Sequence, residues 1–157
     1  MGYIPKDAKW WIADLVEEIT IQGDSRNVVH RNTVLIRADS AEEAYKKALL
    51  LGREGNLSYQ NASRKRVRIR FRGIAQLDVI HDELQHGAEL FYSEEVSVPR
   101  KQIQRWVKRK RELEAFRPHR FRYPRGRPDY GARDIMEEVN RRFGPYPDLE
   151  RLFKKFP

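Results

Sequence analysis

Arginine at fixed spacing carries most of the chemistry this chain offers. Pro124-Arg125-Gly126-Arg127-Pro128 sets two guanidinium groups on either side of a residue without a side chain. A narrow A·T minor groove has an enhanced negative potential and attracts inserted arginines. Glycine between them lets the backbone lie on the groove floor, and the flanking prolines favour an extended path. Arg120 and Arg122, upstream, are placed to reach phosphates, whereas Asp129 directly downstream opposes them. The competing use of these arginines is intramolecular pairing with acids such as Glu17, Glu18, Glu94 and Glu95.

Two further basic arrays stand beside the pentamer. Lys108-Arg109-Lys110-Arg111, with Arg100, Lys101 and Arg105 before it, makes a collar around a helical turn. Each phosphate such a collar touches releases counterions and makes binding salt-dependent. Trp106 either stacks on a base or anchors its helix; it shares an apolar stripe with Ile103 and Val107, so anchoring is expected. The second array is Arg66, Arg68, Arg70 and Arg72, alternating with Val67, Ile69 and Phe71. Same-face neighbours on a strand lie about 6.6–6.8 Å apart. That is close to the phosphate spacing of an extended single strand, so the ladder is able to track one. The other reading is a solvated face with carboxylate partners on neighbouring strands, each pair contributing little. Tyr59, Phe91 and Tyr92 are candidates for added stacking.

Other chemistries find little support. The chain has no cysteine, which removes disulfides, thiolate metal sites and thiol nucleophiles. His81 and His86 are five apart rather than four, so they do not share a helical face as two zinc ligands of that type must. No phosphate-cradling glycine loop, nucleophile elbow or paired-carboxylate motif is present. The expectation is a protein that is not an enzyme, with no catalytic residue, no metal and no cofactor. A basic nuclease with scattered acids is the enzymatic reading that remains.

The elements that must position these arginines follow from pattern. Trp10 to Ile21 and Val28 to Arg37 read as strands joined by the turn cluster Gly23 to Asn27. Ser40 and Glu43 form a capping box for a helix whose inner face is Ala41, Ala44, Tyr45, Ala48 and Leu51, with Gly52 placed to stop it. Gly52 to Lys65 reads as loop, Arg66 to Ile80 as a third strand with Gly73 marking a bulge, and Ala88 to Val98 as a fourth. The sum is α+β, a four-stranded antiparallel sheet in the order β-β-α-β-β with a helix on one face. Pro99 then opens a helix over 100–115, and short amphipathic helices are expected over 132–143 and 148–156. Their apolar faces are expected to dock on the sheet or on the 100–115 helix.

Charge divides the chain at the same place. Of 157 residues, 35% are charged, against about 25% in ordinary domains. Residues 1–98 hold 14 basic and 15 acidic residues, and residues 99–157 hold 18 and 8, which accounts for the net +9. We therefore expect a neutral domain over 1–98 and a basic extension over 99–157, the usual footprint of contact with nucleic acid or an anionic surface. No apolar run approaches the roughly 18 residues of a membrane span, and no secretory signal is visible, so a cytoplasmic protein without a membrane partner is expected.

Two resemblances add to this reading. Residues 10–98 resemble the bacterial domain-of-unknown-function family 4288. The points of likeness are Trp11-Ile12-Ala13, Ala38 to Ala44, Phe71-Arg72-Gly73-Ile74, Leu77-Asp78, Gly87-Ala88-Glu89 and Tyr92-Ser93. This implies the α+β fold and a bacterial intracellular setting, and assigns no catalytic residue. Residues 124–128 resemble the core of an AT-hook, which implies A·T-rich DNA as ligand. The expectation is a non-enzymatic nucleic-acid-binding protein, DNA favoured over RNA, in which the sheet-and-helix domain is a scaffold and the 100–127 extension is the main contact, using Arg125, Gly126, Arg127, Arg120, Arg122 and Lys108 to Arg111, with Arg66, Arg68, Arg70 and Arg72 as further candidates. The alternatives are an interaction module whose basic arm meets an acidic protein or a larger assembly such as the ribosome, and an uncharacterised enzyme using the open sheet face.

Overall fold

Alternation decides the first element. In β1 (Trp10–Ile21), Trp11, Ala13, Leu15, Ile19 and Ile21 are buried while their neighbours are more open. β2 (Asn27–Arg37) returns antiparallel beside it in unbroken register, from Trp10 opposite Arg37 to Thr20 opposite Asn27. The computed structural model describes residues 4, 6–116, 126–135, 137 and 141.

The capping signal at Ser40 is realised. Ser40 Oγ accepts the Glu43 N–H at 3.2 Å, and the Glu43 carboxylate reaches back to the Asp39 N–H at 2.8 Å. The helix, α1 (Ala41–Glu54), lays fully buried Ala44 and Ala48 on the sheet. It does not stop at Gly52. A β-carbon there would stand 2.4 Å from the Phe71 ring, so this glycine serves a close approach inside the helix rather than its end. Gly55 ends it, its N–H bonding to Leu51 O.

Two antiparallel strands complete the sheet, β3 (Leu57–Gln60) and β4 (Arg66–Val79), in the order β2-β1-β4-β3. The expected four-stranded α+β architecture holds, but its fourth strand is Leu57–Gln60, inside the segment read as loop. Ala88 to Val98 forms no strand; Leu90, Phe91, Tyr92 and Val96 are exposed there and Ser97 has φ 59°. Gly73, at φ 146°, lies in an irregular stretch of β4. There the register shifts twice, leaving Arg72 and Ala75 without a partner on β1 and returning Ile74, Leu77 and Val79 to the helix side.

The inner face carries two apolar clusters. Trp11, Ala13, Leu15, Ile36 and Ala38 pack with Ala44 and Ala48 of α1. Ile19, Ile21 and Val67 pack instead with Tyr59 and Tyr130. Tyr130 belongs to a returning segment: the chain divides into two compact units, residues 1–92 with 128–137, and residues 93–127 with 138–157. Asn61 pairs with Ala132 as an isolated bridge, its Nδ2 donates to Asp129 O at 2.8 Å, and the Tyr59 hydroxyl donates to Tyr130 O. His30 meets the Tyr130 ring edge-on at 5.6 Å.

In the second unit, the helix expected over 100–115 is α2 (Arg100–Trp106), followed by single 3-10 turns at Lys110–Glu112 and Glu114–Phe116. The chain leaves helical geometry at Val107, whose ψ is 118°. Within 132–143, Arg133 to Ile135, Glu137 and Arg141 are helical; 148–156 lies outside the described residues.

Asn61 is buried and ties the returning segment to the β3–β4 turn, where its Oδ1 also accepts the Lys65 N–H at 2.9 Å. Asn61→Ala orphans both partners and is expected to lower stability by about 1–3 kcal/mol. Urea unfolding with an unchanged slope checks this.

Candidate nucleic-acid interface

On the face of the sheet away from α1, acids alternate with the aliphatic Ile12 and Val16 along β1. β1 places Asp14 and Glu18 there, two pleat repeats apart with Val16 between, and the flanking strands hold both. Arg31 on β2 reaches Asp14 at 2.9 Å, and Thr33 adds a hydroxyl at 2.7 Å. Glu18 takes Asn27 Nδ2 at 2.7 Å and Arg72 Nε at 2.6 Å. The Asn27 hydrogen bond first, and the Arg72 guanidinium second, hold the Glu18 carboxyl below its ordinary value.

The arginine ladder therefore divides. Arg72, the residue out of register with β1, is neutralised by Glu18. Arg66, Arg68 and Arg70 are exposed and form no ion pair among the described residues; the Arg70 side chain reaches only the Ile69 carbonyl, at 3.5 Å. Register surrounds them with small polar groups. Thr20 and Ser58 flank Arg68 on either side, and Gln60 lies opposite Arg66. Gln22 Oε1 accepts the Arg66 N–H at 3.2 Å. Thr20, Ile21, Gln22, Arg66 and Arg68 line a shallow cleft of about 360 Å³. Hydroxyl and amide groups beside uncompensated guanidinium groups suit phosphate and sugar oxygens.

Thr20, Gln22, Ser58 and Gln60 are the site residues that pattern reading missed. The first two share the arginine ladder's side of the sheet; the other two sit on β3, which was not readable as a strand. Tyr59 leaves the set of stacking candidates. It stands on the inner face, and burial first, with Tyr130 and Asp129 adding, raises its hydroxyl pKa above the ordinary value. Phe91 and Tyr92 remain exposed.

In the second unit, Arg100, Lys101 and Arg105 are exposed on α2, and no α2 residue is buried. Trp106 is 48% exposed, so the expected anchoring is incomplete. Lys108 to Arg111 are exposed but do not form a helical collar: Arg109 is extended, its N–H bonded to Glu112 at 2.9 Å, and Lys110 lies 4.9 Å from the Phe116 ring centre. Arg120, Arg122, Pro124 and Arg125 lie outside the described residues. Gly126 has φ 88°, Arg127 is exposed, and Pro128 is buried in the first unit. Glu17 and Glu18, two of the acids considered as arginine partners for that segment, accept from Asn32 and from Asn27 and Arg72.

Among the described residues no group of three or more His, Asp or Glu is placed to hold a metal ion, and no helix is long and apolar enough to cross a membrane. The sequence model of a family described as "Domain of unknown function (DUF4288)" matches residues 10–92, ending where the main segment of the first unit ends. No curated protein and no solved structure matches the chain.

A depressed carboxylate stabilises the fold above its ordinary value, and that contribution is lost as pH falls through the lowered value. Glu18 is such a group, with an ordinary value of 4.5, and Asp24, held by Arg26 down to about 2, marks the lower end of the window. Stability is expected to be level from neutral pH down to about 5 and to fall below it. Glu18→Gln should be the less stable protein at pH 7, with the gap closing in acid. Thermal melts across that range read both.

Proposed function

We propose a function from the premise that this chain belongs to the DUF4288 family, a domain of unknown function: it is a non-enzymatic nucleic-acid-binding protein whose open sheet face takes an extended single strand. The observation that carries this reading is the set Arg66, Arg68 and Arg70, exposed at strand spacing with no carboxylate partner among the described residues. Same-face spacing of about 6.6–6.8 Å lets successive guanidinium groups meet successive phosphates. Thr20, Gln22, Ser58 and Gln60 supply hydrogen bonds to sugar and phosphate oxygens. The exposed cations Arg100, Lys101, Arg105 and Lys108 to Arg111 add contacts without sequence preference.

The minor-groove reading of 124–128 is supported by its residue types and by the exposure of Arg127, and it gives the chain a second, duplex-directed contact. A protein partner is the competing proposal. It draws on α2 and its exit, where Trp106 is 48% and Val107 74% exposed beside the basic run.

Fluorescence anisotropy against labelled single strands, an A·T-rich duplex and a G·C-rich duplex tests the assignment. Each single-strand phosphate contact contributes about −0.7 to the slope of log affinity against log salt. Replacing Arg66, Arg68 and Arg70 together by glutamine should therefore shallow the single-strand slope by about 2 and weaken binding at least about tenfold at low salt. Arg125→Ala/Arg127→Ala should leave single strands alone and reduce only an A·T preference. An unchanged slope in the triple variant removes the sheet face from the interface. No binding by the parent to any nucleic acid at low salt contradicts the proposal and favours a protein partner.

A further inference from the structure

Among the described residues the sheet has one long, regular, unpartnered edge. β2 runs eleven residues and pairs only with β1; on the opposite side the four-residue β3 covers only Arg66–Ile69 of β4, and the uncovered remainder of β4 is interrupted by two register shifts. The direction of the unused groups can be read from the ladder. The Ala38 N–H donates to Lys9 O at 2.9 Å, so the even residues of β2 turn their backbone groups to β1. Asn27, Val29, Arg31, Thr33, Leu35 and Arg37 turn theirs outward. Edges kept from pairing usually carry proline, lysine, a bulge or a short strand. β2 has no proline and no lysine, and its register with β1 is unbroken. Its two arginines lean over the sheet rather than guard the edge: Arg31 is tied to Asp14, and Arg37 lies 5.9 Å from the Trp10 ring centre. Val29 and Leu35 are 53% and 47% exposed.

We infer that two copies of this chain pair antiparallel along β2 about a two-fold axis at Asn32, forming one continuous eight-stranded sheet. The residues select this register. With the axis at Asn32, Val29 faces the partner's Leu35, Arg31 faces the partner's Thr33, and on the helix side Val28 faces the partner's Ile36. Moving the axis to Thr33 sets Val29 against the partner's Arg37 and Leu35 against the partner's Arg31. Moving it to Arg31 sets two like charges directly opposite, which is destabilising. The arrangement is an isologous dimer in which the same patch serves both copies. Its axis is perpendicular to the sheet, so both open faces lie on one side and both α1 helices on the other. The inference does not depend on what the open face binds.

The absence of cysteine makes the register measurable. In a two-fold at Asn32, that residue faces itself across a non-hydrogen-bonded pair, with α-carbons about 4.5 Å apart, within the range a disulfide spans. Leu35 and its copy are then six residues out of step, about 20 Å along the strands. The full-length parent is expected to sediment at twice the 18.7 kDa chain mass. Mild oxidation should convert Asn32→Cys to a covalent dimer and leave Leu35→Cys monomeric on a non-reducing gel, although position 35 is well exposed. Val29→Lys/Leu35→Lys, confined to exposed side chains, should keep the parent's circular dichroism and sediment as a monomer. A monomeric parent at high micromolar concentration overturns the inference. So does a dimer that survives the double lysine variant, or equal cross-linking at 32 and 35.

Discussion

One helix cannot cover this sheet. A 14-residue strand such as β4 is about 46 Å long, whereas the 14 residues of α1 span about 21 Å. The apolar alternation of β1 continues past the helix, to Ile19 and Ile21, so a second cover is needed. The segment around Tyr130 supplies it. Its backbone carbonyls are met by the Tyr59 hydroxyl and the Asn61 amide, which allows polar chain to lie on the apolar end of the sheet without orphaned groups. No buried side-chain polar atom among the described residues lacks a partner.

With both covers on one side, the other side is open, and it mixes charged and polar groups with the aliphatic Ile12, Val16, Val29 and Leu35. Exposed ion pairs contribute little to stability. The pairs Arg31–Asp14 and Arg72–Glu18 act instead by fixing where charge remains. They neutralise Asp14 and Glu18 together with Arg31 and Arg72, so Arg66, Arg68 and Arg70 keep uncompensated charge on this face, as does Arg37 beside the Trp10 ring at the other edge. Out-of-register Arg72 is part of that division, because it turns the last arginine of the ladder back onto Glu18. The same face carries Val29 and Leu35 at its β2 edge, where a second copy extends it in the dimer inferred above.

Much of the scaffold was legible because its signals are local. The alternation of Val67, Ile69 and Phe71 with arginines, the Ser40–Glu43 cap and the irregularity at Gly73 each follow from a few neighbouring residues. What was not legible depends on distant partners. Leu57–Gln60 has only Leu57 and Tyr59 as apolar signal and becomes a strand because Val67 and Ile69 stand opposite. Gly52 looks like a helix stop, and only the Phe71 ring shows that it is a contact. Ala88 to Val98 has strand-forming residues but pairs with no strand, which local pattern does not show. The ladder of the candidate site was visible, yet its division into one neutralised and three uncompensated arginines required Glu18, which lies 54 residues from Arg72 in sequence. Tyr130 gives no local sign of docking, since the residues it meets on β3 are about seventy positions away.

In the function proposed above, the sheet's two faces have separate duties, the inner one closed by α1 and the Tyr130 segment, the outer one open to a polyanion. Titrating isotope-labelled protein with a short oligothymidylate and following backbone amide shifts tests it most directly. Shifts are expected at Thr20, Gln22, Ser58, Gln60 and Arg66 to Arg70, strongest at low salt, with Ala44, Ala48 and Tyr130 unmoved. Shifts confined to α1 and the Tyr130 segment, or no shifts in the first unit at any oligonucleotide concentration, would contradict it.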